Sequence, residues 1–132
     1  MSYEDEIRGF IERFNGAKDT FLHGCCYWFA RILYERFKDR GIQERCCSFI
    51  LYEPVEGHFL FGVCRWDVWM SRVRHDVKAG EELKVYDVRG DVTELYKGKE
   101  LYTMRYLRDE MEEYYDNLMR DCRDFLPEGE DG

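Results

Sequence analysis

Residues 24–30 read GCCYWFA, and the stretch they open decides the architecture. Cys26, Phe29, Ala30, Leu33 and Phe37 recur every three or four residues, the spacing of one apolar helix face. Arg31, Glu35, Arg36 and Lys38 lie mainly off that stripe, and Gly41 stands just past the expected end. Gly24 lets the chain turn sharply into the helix, because it has no Cβ to clash. Cys26 therefore falls at about the first turn. There the unpaired N–H groups and partial positive charge of a helix end favour a thiolate over a thiol.

Upstream, Ile7, Phe10, Ile11 and Phe14 predict an earlier helix that stops near Asn15–Gly16. Downstream, the periodicity changes. SFILYE (48–53) is a continuous apolar run, Pro54 ends it, and Glu56–Gly57 turns into HFLFGVC (58–64). Alternation puts His58, Leu60, Gly62 and Cys64 on one face, with Phe59, Phe61 and Val63 on the other. WDVWM (66–70) reads as a continuation of that strand after a bend, or as a new one. SRVRHDVKAGEE (71–82) is polar and reads as an exposed loop or short helix. LKVYDVRG (83–90) is the next strand, broken by Gly90.

The C-terminal segment 102–125 predicts one long helix. Met104, Leu107, Met111, Tyr114, Leu118, Cys122 and Phe125 step by three or four, while Asp109, Glu112, Glu113 and Asp116 make an acidic face. That face reads first as the solvated back of a core helix and second as a docking surface. The expected fold is α+β: a helix with a cysteine at its N-terminus packed on a small antiparallel sheet, with a long C-terminal helix. Residues 1–132 are expected to form one domain, with 126–132 a frayed tail.

Composition narrows the functional classes. Hydrophobic residues make up 45% of the 132, enough for a packed core. No apolar run reaches the ~18 residues of a membrane span. MSYEDEIRGF is acidic where a signal peptide would be basic, so a cytoplasmic protein is expected, with its six cysteines reduced. A net charge of −8 argues against direct contact with phosphate backbones or anionic membranes, and suits a basic partner. Cys25–Cys26 and Cys46–Cys47 are adjacent pairs, which chelate zinc poorly, and His23 and His75 complete no metal-ligand spacing. No Gly-rich phosphate loop is present. No cofactor and no metal are expected.

Two further motifs complete a chemical pattern. GHF (57–59) and YDVRG (86–90) follow GCCYWFA, giving the order Cys, His, Asp, each at the edge of a regular element. A thiolate beside an imidazole that a carboxylate orients is a nucleophilic triad. Each residue also has a plainer reading. Cys26 can be a packing residue, His58 a strand opener bonded to backbone, and Asp87 a turn residue or a partner for Arg89.

Together GCCYWFA, GHF and YDVRGDV resemble the papain-like and transglutaminase-like thiol enzymes. The likeness is closer to small phage and mobile-element proteins with the pattern G-x-C-Y-x-F-A, a strand with a His, then Y-D-x-x-G. It spans residues 20–96. The resemblance implies a papain-like core in which Cys26 is the nucleophile, His58 the general base and Asp87 the residue that orients the imidazole. It implies an enzyme acting on an amide or thioester of a protein or peptide: a cysteine peptidase, deamidase or acyltransferase. The chain departs from the papain pattern in one place, since AKDTFLHG (17–24) holds no Gln or Asn to help the Cys26 N–H stabilise an oxyanion. Losing such a donor typically costs about 10²–10³ in rate. The 28 residues between His58 and Asp87 predict an insertion at 65–82 that overhangs the site. The alternative is a non-catalytic acidic binding protein on the same fold, such as a phage inhibitor of a host defence or nucleic-acid-binding protein, with a basic host protein as its partner. Its interface would use the acidic helix with Trp66, Trp69, Tyr114 and Tyr115.

Overall fold

The computed structural model describes residues 2–22 and 25–123. His23, the turn read at Gly24, Phe125 and the tail lie outside the described residues. The chain forms a mixed α+β structure around a five-stranded antiparallel sheet.

Helix α1 (Tyr3–Glu12) starts where the Ser2 hydroxyl accepts the Asp5 amide at 3.1 Å, and Glu4, Asp5 and Glu6 complement the helix dipole in its first turn. It buries Tyr3, Ile7 and Ile11. A 3₁₀ turn (Asn15–Ala17) and the short α2 (Lys18–Leu22) lead to α3 (Cys26–Gln43), which buries Phe29, Ala30, Leu33 and Phe37. The expected stop at Gly41 is overturned, because α3 runs two residues further. Gly41 serves packing instead: a Cβ there would lie 2.7 Å from the Tyr3 hydroxyl, which donates to the Phe37 carbonyl at 3.0 Å.

Strands β1 (Cys46–Glu53) and β2 (His58–Arg65) form the expected hairpin, with Gly57 at φ 68° in its turn. The buried Glu53 carboxylate ties the turn by accepting the Val55 and Glu56 amides at 2.7 and 2.9 Å. Strand β3 (Leu83–Asp87) pairs with β2, and the two-residue β4 (Gly90–Asp91) folds back on β3. The sheet order is β4-β3-β2-β1-β5, where β5 (Tyr102–Thr103) joins the far edge of β1. Gly62 in mid-β2 leaves room for Leu51 and Phe49, whose side-chain carbons would lie 2.8 and 2.9 Å from a Cβ at that position.

Two expectations on secondary structure are corrected. WDVWM is helical, not a strand: α4 (Trp66–Val68) passes into a π-helical turn (Trp69–Val73). The single C-terminal helix is three elements. After β5 come α6 (Met104–Glu110), capped by the Thr103 hydroxyl on the Tyr106 amide at 3.1 Å, and α7 (Glu112–Arg123). Met111, at φ −137° and ψ 53°, separates them.

The sheet is covered on both faces. Phe61, Val63 and Tyr86 pack against α1 and α3, while Tyr52 and Phe59 pack with Ala30, Leu107 and Cys122 of α3, α6 and α7. On the other face, Leu51, Leu60, Cys64, Leu83 and Val85 meet Val73 and Ala79 of the 66–82 segment. Val92, Leu101 and Tyr96 complete that cluster, Tyr96 lying on α5 (Thr93–Tyr96). The period-two division of β2 is the one read from the sequence. Among the described residues no helix is long and apolar enough to cross a membrane.

Candidate active site

Cys26 is the first residue of α3, with Cys25 at the cap, so the thiol sits at the positive end of an 18-residue helix. His58 is the first residue of β2 and Asp87 the last of β3. By alternation His58 and Asp87 belong with Leu60 and Val85, on the face turned away from α3. They meet the thiol at the end of the sheet. The β2–β3 ladder stops at Phe61↔Tyr86, and beyond it the rung is a side-chain bond: His58 Nε2 donates to Asp87 Oδ2 at 2.9 Å. The Cys26 sulfur lies beside the same ring, close enough that Cys26 and His58 each shift the other's pKa. The three residues singled out in the sequence therefore converge.

The electrostatics follow from this contact. Burial pushes the Cys26 thiol up, but the His58 hydrogen bond, the Phe59 and Tyr27 backbone amides and the imidazolium charge pull it below its ordinary value. Burial works on His58 in the opposite sense, and the bonds to Asp87 and Cys26 override it, raising the imidazole to about 9. Near neutral pH His58 is an imidazolium, and its charge favours the thiolate form of Cys26. The other five cysteines all move the other way, chiefly through burial. Cys25, Cys46 and Cys47 are raised, and Cys64 and Cys122 reach about 12.

Asp87 combines the roles that its sequence left open. Oδ1 accepts the Arg89 amide at 2.8 Å, and the Arg89 guanidinium bonds both oxygens, with Nη2 at 2.5 Å from Oδ2. Burial raises its pKa, and the bonds from His58 and Arg89 outweigh that and hold it below the usual carboxylate range. The Tyr96 ring lies parallel to the imidazole, 6.0 Å between centroids. The Tyr96 hydroxyl accepts from Arg89 at 3.2 Å and donates to Glu56 at 3.4 Å. Arg89 was visible in the sequence only as a neighbour of Asp87. Tyr96, nine residues on, gave no signal, and neither did the Phe59 amide, because backbone donors leave no mark on side-chain identity.

The covering of the site differs from expectation. Segment 66–82 packs on the face of the sheet turned away from α3, against Leu51, Leu60, Cys64, Leu83 and Val85, and the thiol itself is flanked by α7. Cys26 and Tyr27 pack against the cluster of Cys122, Leu118 and Met119, and Trp28 Nε1 donates to the Cys122 carbonyl at 2.8 Å. The aromatics of the alternative interface are dispersed. Trp69 packs on Phe49 at 4.7 Å, Tyr114 shares a 3.1 Å hydrogen bond with Tyr52, Tyr115 joins the α7 cluster and Trp66 is exposed. Trp69 does line a groove of about 550 Å³, with Tyr102, Tyr106, Asp109 and Glu110. Among the described residues no group of three or more His, Cys, Asp or Glu side chains is placed to hold a metal ion. No protein-family model, curated protein or solved structure matches the chain.

Proposed function

We propose that the protein is a thiol-dependent enzyme acting on an amide or thioester, with Cys26 as nucleophile, His58 as general acid and base, and Asp87 orienting the imidazole on a papain-like core. One observation carries the reading: of six cysteines, the one at a helix N-terminus is bonded to a carboxylate-held imidazole and is the only one with a lowered pKa.

The chemistry runs in two halves. The Cys26 thiolate adds to the substrate carbonyl carbon, and the His58 imidazolium passes its proton to the departing nitrogen or sulfur as that bond breaks. This leaves an acyl group on Cys26 and a neutral imidazole. Water, or an acceptor amine, then attacks the acyl carbon while His58 takes its proton, and the thiolate leaves with the imidazolium restored. Asp87 stays ionised throughout and keeps Nε2 occupied, so the nitrogen facing the sulfur is the one that trades the proton. Protein and peptide carbonyls are the substrate class that the resemblance suggests.

The reading is tested with p-nitrophenyl acetate. Wild type is expected to release about one equivalent of p-nitrophenol rapidly per chain and to gain a single acetyl group on the peptide carrying Cys26, by mass spectrometry. His58→Ala should slow that phase by about 10²-fold or more. Acetylation spread over several thiols, or an unchanged burst in Cys26→Ala, would count against the enzyme.

The groove beside α6 supports a second reading, an acidic binding protein using Trp69, Tyr102 and Tyr106 with Asp109 and Glu110. Arg74, Lys78 and Arg105 line the same groove, which makes it a poorer match for a basic partner than the charge of the whole chain suggests.

A further inference from the structure

Asp87 Oδ2 is shared. His58 Nε2 reaches it at 2.9 Å, and Arg89 reaches the same oxygen with Nη2 at 2.5 Å and Nε at 3.1 Å. The other oxygen has an anchor besides the guanidinium: Nε lies 3.2 Å from Oδ1, and the Arg89 backbone amide donates to that same oxygen at 2.8 Å. The carboxylate would therefore keep its direction if the Arg89 side chain were shortened. The guanidinium adds a fixed positive charge on the oxygen that serves the imidazole, and Tyr96 holds it there by its hydroxyl at 3.2 Å. A cation that competes for a carboxylate weakens the grip of that carboxylate on a neighbouring imidazolium.

We propose that Arg89 is a positioning residue that acts through Asp87: by drawing on the oxygen that holds His58, it limits the stabilisation of the imidazolium and keeps the His58 proton transferable. The inference rests on the triad reading above. Without Arg89, Asp87 would serve His58 alone, and the thiolate–imidazolium pair would persist to lower pH. The same pair would release its proton to a leaving group less readily. Arg89 thus trades thiolate population for a more usable acid.

The other groups around the pair are accounted for. From β1, the Glu53 carboxylate is already bonded to the Val55 and Glu56 amides. From α5, Tyr96 presents its ring to His58, and its hydroxyl links Arg89 to Glu56, whose carboxylate also meets Lys99 at 3.6 Å. Around the sulfur, Cys25 of the cap and Cys122 of α7 are both raised in pKa and neutral near pH 7. Among the described residues Arg89 is the one fixed cation bonded directly to the carboxylate that holds the imidazole.

The test is the pH profile of Cys26 alkylation by iodoacetamide in the full chain, read peptide by peptide. In Arg89→Met the inflection of the rising limb is expected to move down by about one pH unit, and Arg89→Lys, which returns a cation, should stay close to wild type. An unmoved or upward-moving inflection in Arg89→Met would overturn the inference, as would an equal downward shift in Arg89→Lys. His58→Ala separates this failure from that of the triad. If His58→Ala shifts the profile upward and Arg89→Met leaves it in place, the tuning role alone falls; if neither variant moves it, the triad reading falls too.

Discussion

Iodoacetamide at pH 6 is expected to alkylate Cys26 at least about tenfold faster than any other thiol of the protein. The reactive species is the thiolate, and five of the six cysteines have pKa values raised above the ordinary 9.0, so they carry very little of it at that pH. Cys26 alone is moved down, by bonds that outweigh its own burial. His58→Ala removes the hydrogen bond and the positive charge but leaves the burial, so the Cys26 pKa should rise and its rate at pH 6 fall by about tenfold or more. The sign reverses nowhere, but the difference closes at high pH. As pH passes about 9, His58 loses its proton and with it the charge that favours the thiolate, so wild type and variant should converge. Peptide mapping after short exposures would show this. Equal rates at all six thiols, or fastest reaction at Cys25, would remove the nucleophile from the site.

Asp87→Ala should be the most destabilising single change near the site, costing about 3–5 kcal/mol in urea unfolding. Asp87 is 3% exposed and joins β3 to the imidazole of β2, the following turn and a guanidinium. Removing it leaves Arg89 and the buried His58 ring without the anion they share. Asp87→Asn should cost less, since its amide oxygen still accepts the Arg89 amide. The pH dependence has a definite sign. Because folding lowers this pKa, the carboxylate stabilises fully above its unfolded value of 3.8, and that stabilisation disappears on acidification through the lower folded value. Wild type and Asp87→Ala should thus draw together below about pH 3.8. A cost under about 1 kcal/mol at neutral pH would mean that solvent screens the pair far more than its burial implies.

Much of this geometry was legible before any coordinates, and for physical reasons that differ between segments. The helix from Cys26 and the hairpin from SFILYE to HFLFGVC announce themselves because a helix stripe and a strand run need different periods, and Glu56–Gly57 supplies a turn that glycine permits. WDVWM misled because tryptophan and valine fit a strand surface by propensity, while here Trp69 is held by packing on Phe49. The break at Met111 was hidden because the three-and-four spacing of apolar residues continues unbroken across it. Strand β5 is two residues long, too short for any period to show. Gly41 read as a stop because glycine more often ends helices than admits a neighbour, and only the position of Tyr3 reveals which role applies. In the site, the three side chains with their own chemistry were found, whereas Tyr96 and the Phe59 amide act through placement alone.

The strand order also sets an order of events in folding. From β4 through β1, every neighbour in the sheet is a neighbour in the chain, so these rungs close shorter loops than the β5 pairing does, at smaller entropic cost. β5 is the exception: it brings Tyr102 and Thr103 back across some fifty residues to pair with Tyr52 and Leu51. Non-local pairs of this kind are expected to form late. The hydrogen bond between His58 and Asp87 belongs to the early meander, and α7, which follows β5, can settle beside the thiol only after that edge has closed. The hypothesis is that the base and its carboxylate are made first and the covering helix last. Stopped-flow kinetics of Thr103→Ala should then show faster unfolding with folding little changed, and a variant that mainly slowed folding would reverse the sequence.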